Sequence, residues 1–253
     1  MSVIFADTNC DLEKSQVKKL NISLVNLDSK DNLSAFKKAF QPYLDKDEDI
    51  IYLATDYSRV AKEFEDSVKY FGNLYEKRII KYIDLKSCSA SAGLSVYQAG
   101  LMFKRGCTDA EIINFVSEYK NNVYGLVITQ NREFLNKCDT QDKINVNSLS
   151  NLISPIVFMK NNKFEVLDKA QGKKKAIGNL VKFIKDSCIN VADYPLMVCC
   201  DEDTLNAEYL KESLIKTFGE DVIILIQKYS ELNSAEFDKK SLYVGFYSKR
   251  IRI

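Results

Sequence analysis

Along the first two-thirds of the chain, short, largely apolar runs alternate with segments in which apolar residues recur at helical spacing. The runs fall at residues 3–7, 50–54, 79–84 and 126–129. Between them, Leu33, Phe36, Phe40, Tyr43 and Leu44 mark one helical face, and Val60, Phe64, Val68 and Phe71 a second. Leu94, Tyr97, Leu101 and Met102 mark a third, and Ile112, Phe115, Val116 and Tyr119 a fourth; this spacing is that of amphipathic helices. A further helix is expected over about residues 11–20. Thr108 and Glu111 form a capping box, in which the hydroxyl and the carboxylate each satisfy an N–H that the first turn leaves open. Strands that are apolar throughout are buried on both faces, so the pattern predicts a parallel sheet of these four runs with helices on either side.

The pattern changes near residue 150. Segments 155–160 and 163–167 flank Asn161-Asn162, a pair suited to the positive φ of a two-residue hairpin turn. A helix follows with Ala176, Ile177, Leu180, Val181 and Ile184 facing inward, then a strand at 196–200 and a helix at about 207–218 closed by Gly219. Strands at 222–227 and 242–247 complete the chain. The expected architecture is α/β with two domains. Residues 1–150 form a parallel sheet flanked by helices; residues 151–253 form an α+β domain with a mainly antiparallel sheet.

Composition narrows the chemistry. With 253 residues, 46% hydrophobic and 28% charged, the chain can bury a core without disulfide or metal staples. Its formal net charge of +1 gives no field that favours nucleic acid. The seven cysteines are odd in number and form no Cys-x-x-Cys pair, which argues against a disulfide framework and against a structural zinc site. There is no histidine at all. A Ser-His-Asp triad, a Cys-His dyad and a His-ligated metal are therefore excluded, leaving carboxylates, Lys, Tyr or bare thiols for any catalysis. The apolar stretch before Asp7 is too short for a signal peptide, and no run approaches the roughly 20 residues that span a bilayer. A cytoplasmic protein without stable membrane insertion is expected.

In an open parallel sheet, ligands bind at the carboxyl ends of the strands. Three loops fall there, at residues 7–12, 54–58 and 84–93, each rich in hydroxyls and small side chains just before a helix. Two readings are open. Asp11, Ser58 and Ser89 could be helix N-caps, each stabilising its helix by about 1 kcal/mol. Three such loops in one sheet could equally form a site for an anionic head group. Lys173, Lys174 and Lys175 open a helix after Gly172, either as a solvated charged face or as a docking point for a phosphate-bearing partner.

The order of these segments resembles the DegV family, the fatty-acid-binding proteins that work with a bacterial fatty acid kinase. Val3-Ile-Phe-Ala-Asp7-Thr-Asn-Cys-Asp11-Leu12 is similar to the family opening, an apolar strand followed by T-D-S-x-x-D-L. Leu53-Ala-Thr55-Asp-Tyr57-Ser58-Arg-Val60 falls where the family has I-S-S-x-L-S-G-T, and Asp84 through Gly93 matches D-S-x-x-x-S-x-G-x-G in frame. Arg105-Gly106-Cys-Thr108-Asp-Ala-Glu111-Ile112 resembles G-x-S-x-x-E-I. Ile153-Ser-Pro155-Ile156 and the stretch from Lys169 to Ile177 resemble K-P-I-L and R-G-x-K-K-A-I. The matches cover residues 3 to about 185 in order; beyond them only the order of strands and helices agrees.

The departures fall near the family's head-group site. Asp28 stands where the resemblance places a carboxylate-binding Thr, and Ser29 where it places a Ser. Arg59 and Val60 replace a Gly-Thr pair, Asn136-Lys-Cys138-Asp-Thr140 stands in place of G-G-R-I, and the family's H-x-G-P-G cannot exist without histidine.

The resemblance implies a protein without catalysis of its own. It would hold a single long-chain fatty acid between its domains and present the carboxylate to an ATP-dependent fatty acid kinase subunit for phosphorylation. No cofactor is implied beyond the bound fatty acid, and no metal. Ser58 is the leading candidate to donate to the carboxylate, followed by Ser29, Ser89 and Thr55. An alternative is a diverged DegV-like protein that has lost lipid binding and acts as an interaction or regulatory protein. A third reading, a small-molecule enzyme with Asp7 or Asp11 as base, has neither a His nor a Gly-rich phosphate loop to support it.

Overall fold

The computed structural model describes residues 2–27, 31–55, 60–138, 153–160 and 163–250. Four parallel strands form the first sheet, in the order β2 (Ile22–Val25), β1 (Ser2–Asp7), β3 (Asp49–Ala54), β4 (Ile80–Asp84). The fourth strand differs from the one expected. The short segment Ile22–Val25 takes that place, while the apolar run near 126 becomes β5 (Val123–Ile128) of a second sheet. A run buried on both faces carries no signal of which sheet it will join, and β5 is completely buried. The chain thus enters its second sheet well before residue 150.

That second sheet has six strands: β7 (Lys163–Gln171), β6 (Ile153–Lys160), β5, β10 (Leu242–Tyr247), β8 (Leu196–Cys199) and β9 (Ile224–Gln227), in spatial order. All its pairings are antiparallel except β8 with β9. The expected hairpin is present, with Lys160 registered against Lys163; its turn, Asn161-Asn162, lies outside the described residues. The architecture is α/β, a parallel sheet flanked by helices beside a mainly antiparallel one.

Alternation along the strands sorts the core into layers. Phe5 and Tyr52 point from the first sheet toward α2 (Asn32–Leu44) and α3 (Ala61–Leu74), where they meet Phe36, Phe40 and Phe64. Phe5 and Phe40 lie edge to face at 4.9 Å, a favoured aromatic geometry. The neighbouring Ile4, Ala6, Ile51 and Leu53 point the other way, onto the helix α4 (Ser89–Lys104). The far side of α4 meets Val127, Met197 and Tyr243 of the second sheet, which is backed in turn by α7 (Lys173–Ser187) and α8 (Thr204–Phe218). The remaining helices are α1 (Lys14–Lys19), α5 (Asp109–Tyr119), α6 (Arg132–Lys137) and α9 (Glu231–Phe237), the last two unexpected from sequence. The capping box at Thr108 and Glu111 is formed. Lys173 is held by Asp203 and the Lys240 carbonyl, and Lys174 lies 5.7 Å over the Tyr209 ring.

Sheet–helix–sheet contact at α4 depends on small residues. A Cβ on Gly245 of β10 would sit 2.6 Å from the backbone carbon and oxygen of Ala90. Backbone cannot rotate away as a side chain can, so Gly245→Ala should lower unfolding stability by about 1–3 kcal/mol or more. Gly178, on the solvent side of α7, meets nothing within 4 Å. Gly178→Ala should stabilise the protein by about 0.5–1 kcal/mol. Urea unfolding of the two variants beside the parent checks both signs.

Candidate functional site

The carboxyl ends of β1, β3 and β4 converge where α4 begins. β1 ends on Asp7, which is buried. Its Oδ1 accepts from the Thr55 hydroxyl at 2.5 Å and the Asn9 N–H at 3.2 Å. Its Oδ2 accepts from the Thr55 N–H at 2.9 Å and the Tyr52 hydroxyl at 3.3 Å. Burial raises the Asp7 pKa, against the opposing pull of the bonds from Thr55, Asn9 and Tyr52. The carboxylate thereby ties the end of β1 to the first residue past β3.

Asp11 follows a single 3₁₀ turn, Thr8–Cys10, and closes it in the left-handed region at φ +54°. Its Oδ2 accepts from the Ser89 hydroxyl at 2.6 Å. Its Oδ1 accepts from the Ser230 N–H at 2.6 Å and from Asn233 Nδ2 at 2.9 Å. Three segments far apart in sequence, the loop after β1, the start of α4 and the start of α9, are joined at one carboxylate. Burial pushes its pKa up to about 6, opposed first by the Ser89 hydrogen bond. No ion pair among the described residues reaches Asp7 or Asp11.

Neither Asp11 nor Ser89 is a helix N-cap. Helix α1 is preceded by Glu13 and helix α4 by Cys88, while Ser89 itself holds φ +49°. With Lys86 at φ +48°, the loop 84–93 and Asp11 together carry three left-handed residues that are not glycine. Such strain gathers where a functional arrangement is over-determined by its surroundings.

Of the residues singled out from sequence, Thr55 and Ser89 are brought to this edge of the sheet, both buried and each donating to an aspartate. Ser58, Ser29 and Asp28 lie outside the described residues. Sequence reasoning did not single out Ser87, Ser91 or Tyr243. Ser87 donates to Ser91 at 2.6 Å, and Ser91 Oγ lies 3.2 Å from the Tyr243 hydroxyl. The spacing Ser87, Ser89, Ser91 in a loop of small residues was the available signal; Tyr243, from β10, had none.

Behind these hydroxyls stands an apolar wall. The Tyr243 hydroxyl meets Met159 Sδ at 3.4 Å, and the Tyr243 ring packs on Phe237 at 5.2 Å. Phe134 joins Phe237 at 5.2 Å and Phe164 at 4.7 Å. A separate open cleft of about 580 Å³ lies at the carboxyl end of β2, lined by Leu24, Val25, Asn26, Asp31, Ser34 and Lys38. A row of hydroxyls beside an apolar wall suits a ligand with a small polar head and a hydrocarbon body. Among the described residues no group of His, Cys, Asp and Glu could hold a metal ion, and no helix is long and apolar enough to cross a membrane.

A family model described as "Uncharacterised protein, DegV family" matches residues 29–232. A DegV domain-containing protein of Clostridium perfringens is 24% identical over 262 residues, covering 88% of this chain and 89% of its own. Among solved structures, a DegV family protein from Eubacterium eligens loaded with heptadecanoic acid superposes with a TM-score of 0.81 at 15% identity. That superposition covers 98% of this chain and 100% of that one. A stearic acid-binding protein from Eubacterium ventriosum superposes with a TM-score of 0.79 at 12% identity, over 98% and 99% of the two chains.

The raised Asp11 pKa fixes a sign for stability. A carboxyl easier to protonate when folded adds stability that is complete below its unfolded value of 3.8 and is lost as pH rises through about 6. Relative to Asp11→Asn, the parent protein should therefore gain about 1–2 kcal/mol on going from pH 7.5 to pH 5. Paired denaturant titrations at the two pH values measure this difference. A gap that stays constant with pH would show that Asp11 titrates normally.

Proposed function

We propose, from the premise that this chain belongs to the DegV family, that it binds a single long-chain fatty acid and has no catalysis of its own. The observation that carries the reading is the row of buried hydroxyls, Thr55, Ser87, Ser89 and Ser91, set against an apolar wall at the carboxyl edge of the parallel sheet. The fatty acids held by structurally similar DegV proteins support it. The acyl chain enters the apolar region bounded by Met159, Phe134, Phe164 and Phe237, between the two sheets. Each buried CH₂ contributes about 0.8 kcal/mol of transfer free energy, so the tail supplies most of the affinity. The head group is a different matter. A carboxylate removed from water needs donors to offset its desolvation, and Ser58, Ser29, Ser89 and Thr55 are assigned to supply them.

The carboxylate is then presented to an ATP-dependent kinase subunit, which phosphorylates it; the chain described here is the carrier. A second reading has one observation in its favour: the Thr55 and Ser89 hydroxyls are already donated to Asp7 and Asp11. A chain that keeps the fold but uses those hydroxyls only as structural ties would act as an interaction or regulatory protein without lipid.

Native mass spectrometry of the purified protein, followed by lipid extraction, separates the two. The carrier reading expects about one fatty acid per chain. It also expects Ser58→Ala and Ser89→Ala each to weaken binding about tenfold or more, as loss of a hydrogen bond to a charged group does. A protein that emerges empty and takes up neither oleate nor palmitate would falsify the carrier reading.

A further inference from the structure

A hydroxyl has one proton to give. In the structure the Ser89 proton is given to Asp11 Oδ2, over 2.6 Å. It cannot at the same time be given to an incoming carboxylate. We infer that the acyl head group binds together with a proton, which is taken up by Asp11 on Oδ2. The new Asp11 O–H donates to Ser89 Oγ, and the Ser89 O–H turns to donate to the ligand. Asp11 is thus a positioning residue that sets the direction of the Ser89 hydrogen bond. The net change is one proton taken from solvent and no bond to carbon made or broken. The inference rests on the fatty-acid reading, since it takes Ser89 as a head-group donor.

The geometry selects Asp11 over Asp7. Both oxygens of Asp7 face backbone N–H groups, those of Asn9 and Thr55, and a backbone donor cannot become an acceptor. A proton on either oxygen would set donor against donor. On Asp11 the fixed donors, Ser230 N–H and Asn233 Nδ2, both fall on Oδ1. Oδ2 meets the Ser89 hydroxyl, which can reverse; the Ser230 hydroxyl, which also lies against the carboxylate, can reverse as well. Oδ2 can therefore be protonated with every partner still satisfied.

The surroundings agree. The titratable groups facing Asp11 are Cys10 on its own loop, Cys199 of β8 and Tyr229 before α9, with Asp7 beyond Cys10. Burial raises the pKa of all of these, so the two thiols and the phenol stay neutral, and none brings positive charge toward Asp11. An anion placed beside Asp11 would raise its pKa further from the value of about 6 it already holds. At neutral pH the ligand and the proton then bind cooperatively.

The test is titration calorimetry with dodecanoate at pH 7.5, run in phosphate and in Tris buffer, whose different ionisation enthalpies count the protons exchanged. Uptake approaching one proton per ligand is expected, with affinity falling about tenfold per pH unit between pH 7 and 8.5. Asp11→Asn is the matching variant. Its amide oxygen can accept from Ser230 and Asn233 while its NH₂ donates to Ser89, imitating the protonated acid. It should bind with no proton uptake and with affinity flat in pH. Should that variant not fold, Ser89→Ala supplies the check, since proton uptake must fall with the hydroxyl gone. Binding by the parent without proton uptake, or uptake undiminished in these variants, overturns the inference and leaves the carrier reading standing. Absence of any binding by the parent overturns both.

Discussion

A helix with no polar face must be covered on all sides, and everything else in this protein is arranged around that requirement. In α4, Ser89 through Val96 are buried without interruption, followed by Gln98, Ala99 and Gly100. One sheet covers only one side of such a helix, so a second must close from the opposite direction. The small residues Ala90 and Gly93 on the helix, with Gly125 and Gly245 on the second sheet, let the layers approach to backbone contact. The two sheets share one core through this helix, and the layered order of helix, sheet, helix, sheet, helix follows.

The same constraint creates the site. Because α4 starts between the sheets, its first turn and the loop before it are dry, and every polar group there must find a partner within the protein. Ser87 and Ser91 satisfy each other, and Ser89 turns to Asp11. Asp11 in turn reaches across to Ser230 and Asn233 on the far side of the chain. Among the described residues the donors to these two carboxylates are all neutral, and burial dominates both their pKa values.

Much was legible in the sequence. Phe5 and Ile4, adjacent in the chain, belong to different cores, and only an unbroken apolar run signals a strand buried on both faces. That signal placed β1 and β3 correctly; β4, interrupted by Lys81 and exposing Lys81 and Tyr82, was found at its expected place without being buried on both faces. The helical stripes of α2, α3 and α5 were as clear. The resemblance carried by the loops at 7–12 and 84–93 pointed to the correct family and to the edge of the sheet where the hydroxyls gather. Less visible were β2, too short to show a period, and α9, whose single Ser230 cap precedes a helix of seven residues.

What the sequence determined by itself is most of the longer elements and the chemical types available to a site: hydroxyls, carboxylates and no imidazole. These are local properties, set by side-chain spacing and composition. What only the tertiary structure decided is partnership. An apolar run looks the same whichever sheet it will join, so β5 could not be assigned to the second sheet in advance. Asp11 looks like a helix cap until Ser230 and Asn233, more than two hundred residues away, are folded against it. A hydrogen bond between distant segments leaves no trace in the spacing of either, and the direction in which a hydroxyl gives its proton is settled only by what the fold sets beside it.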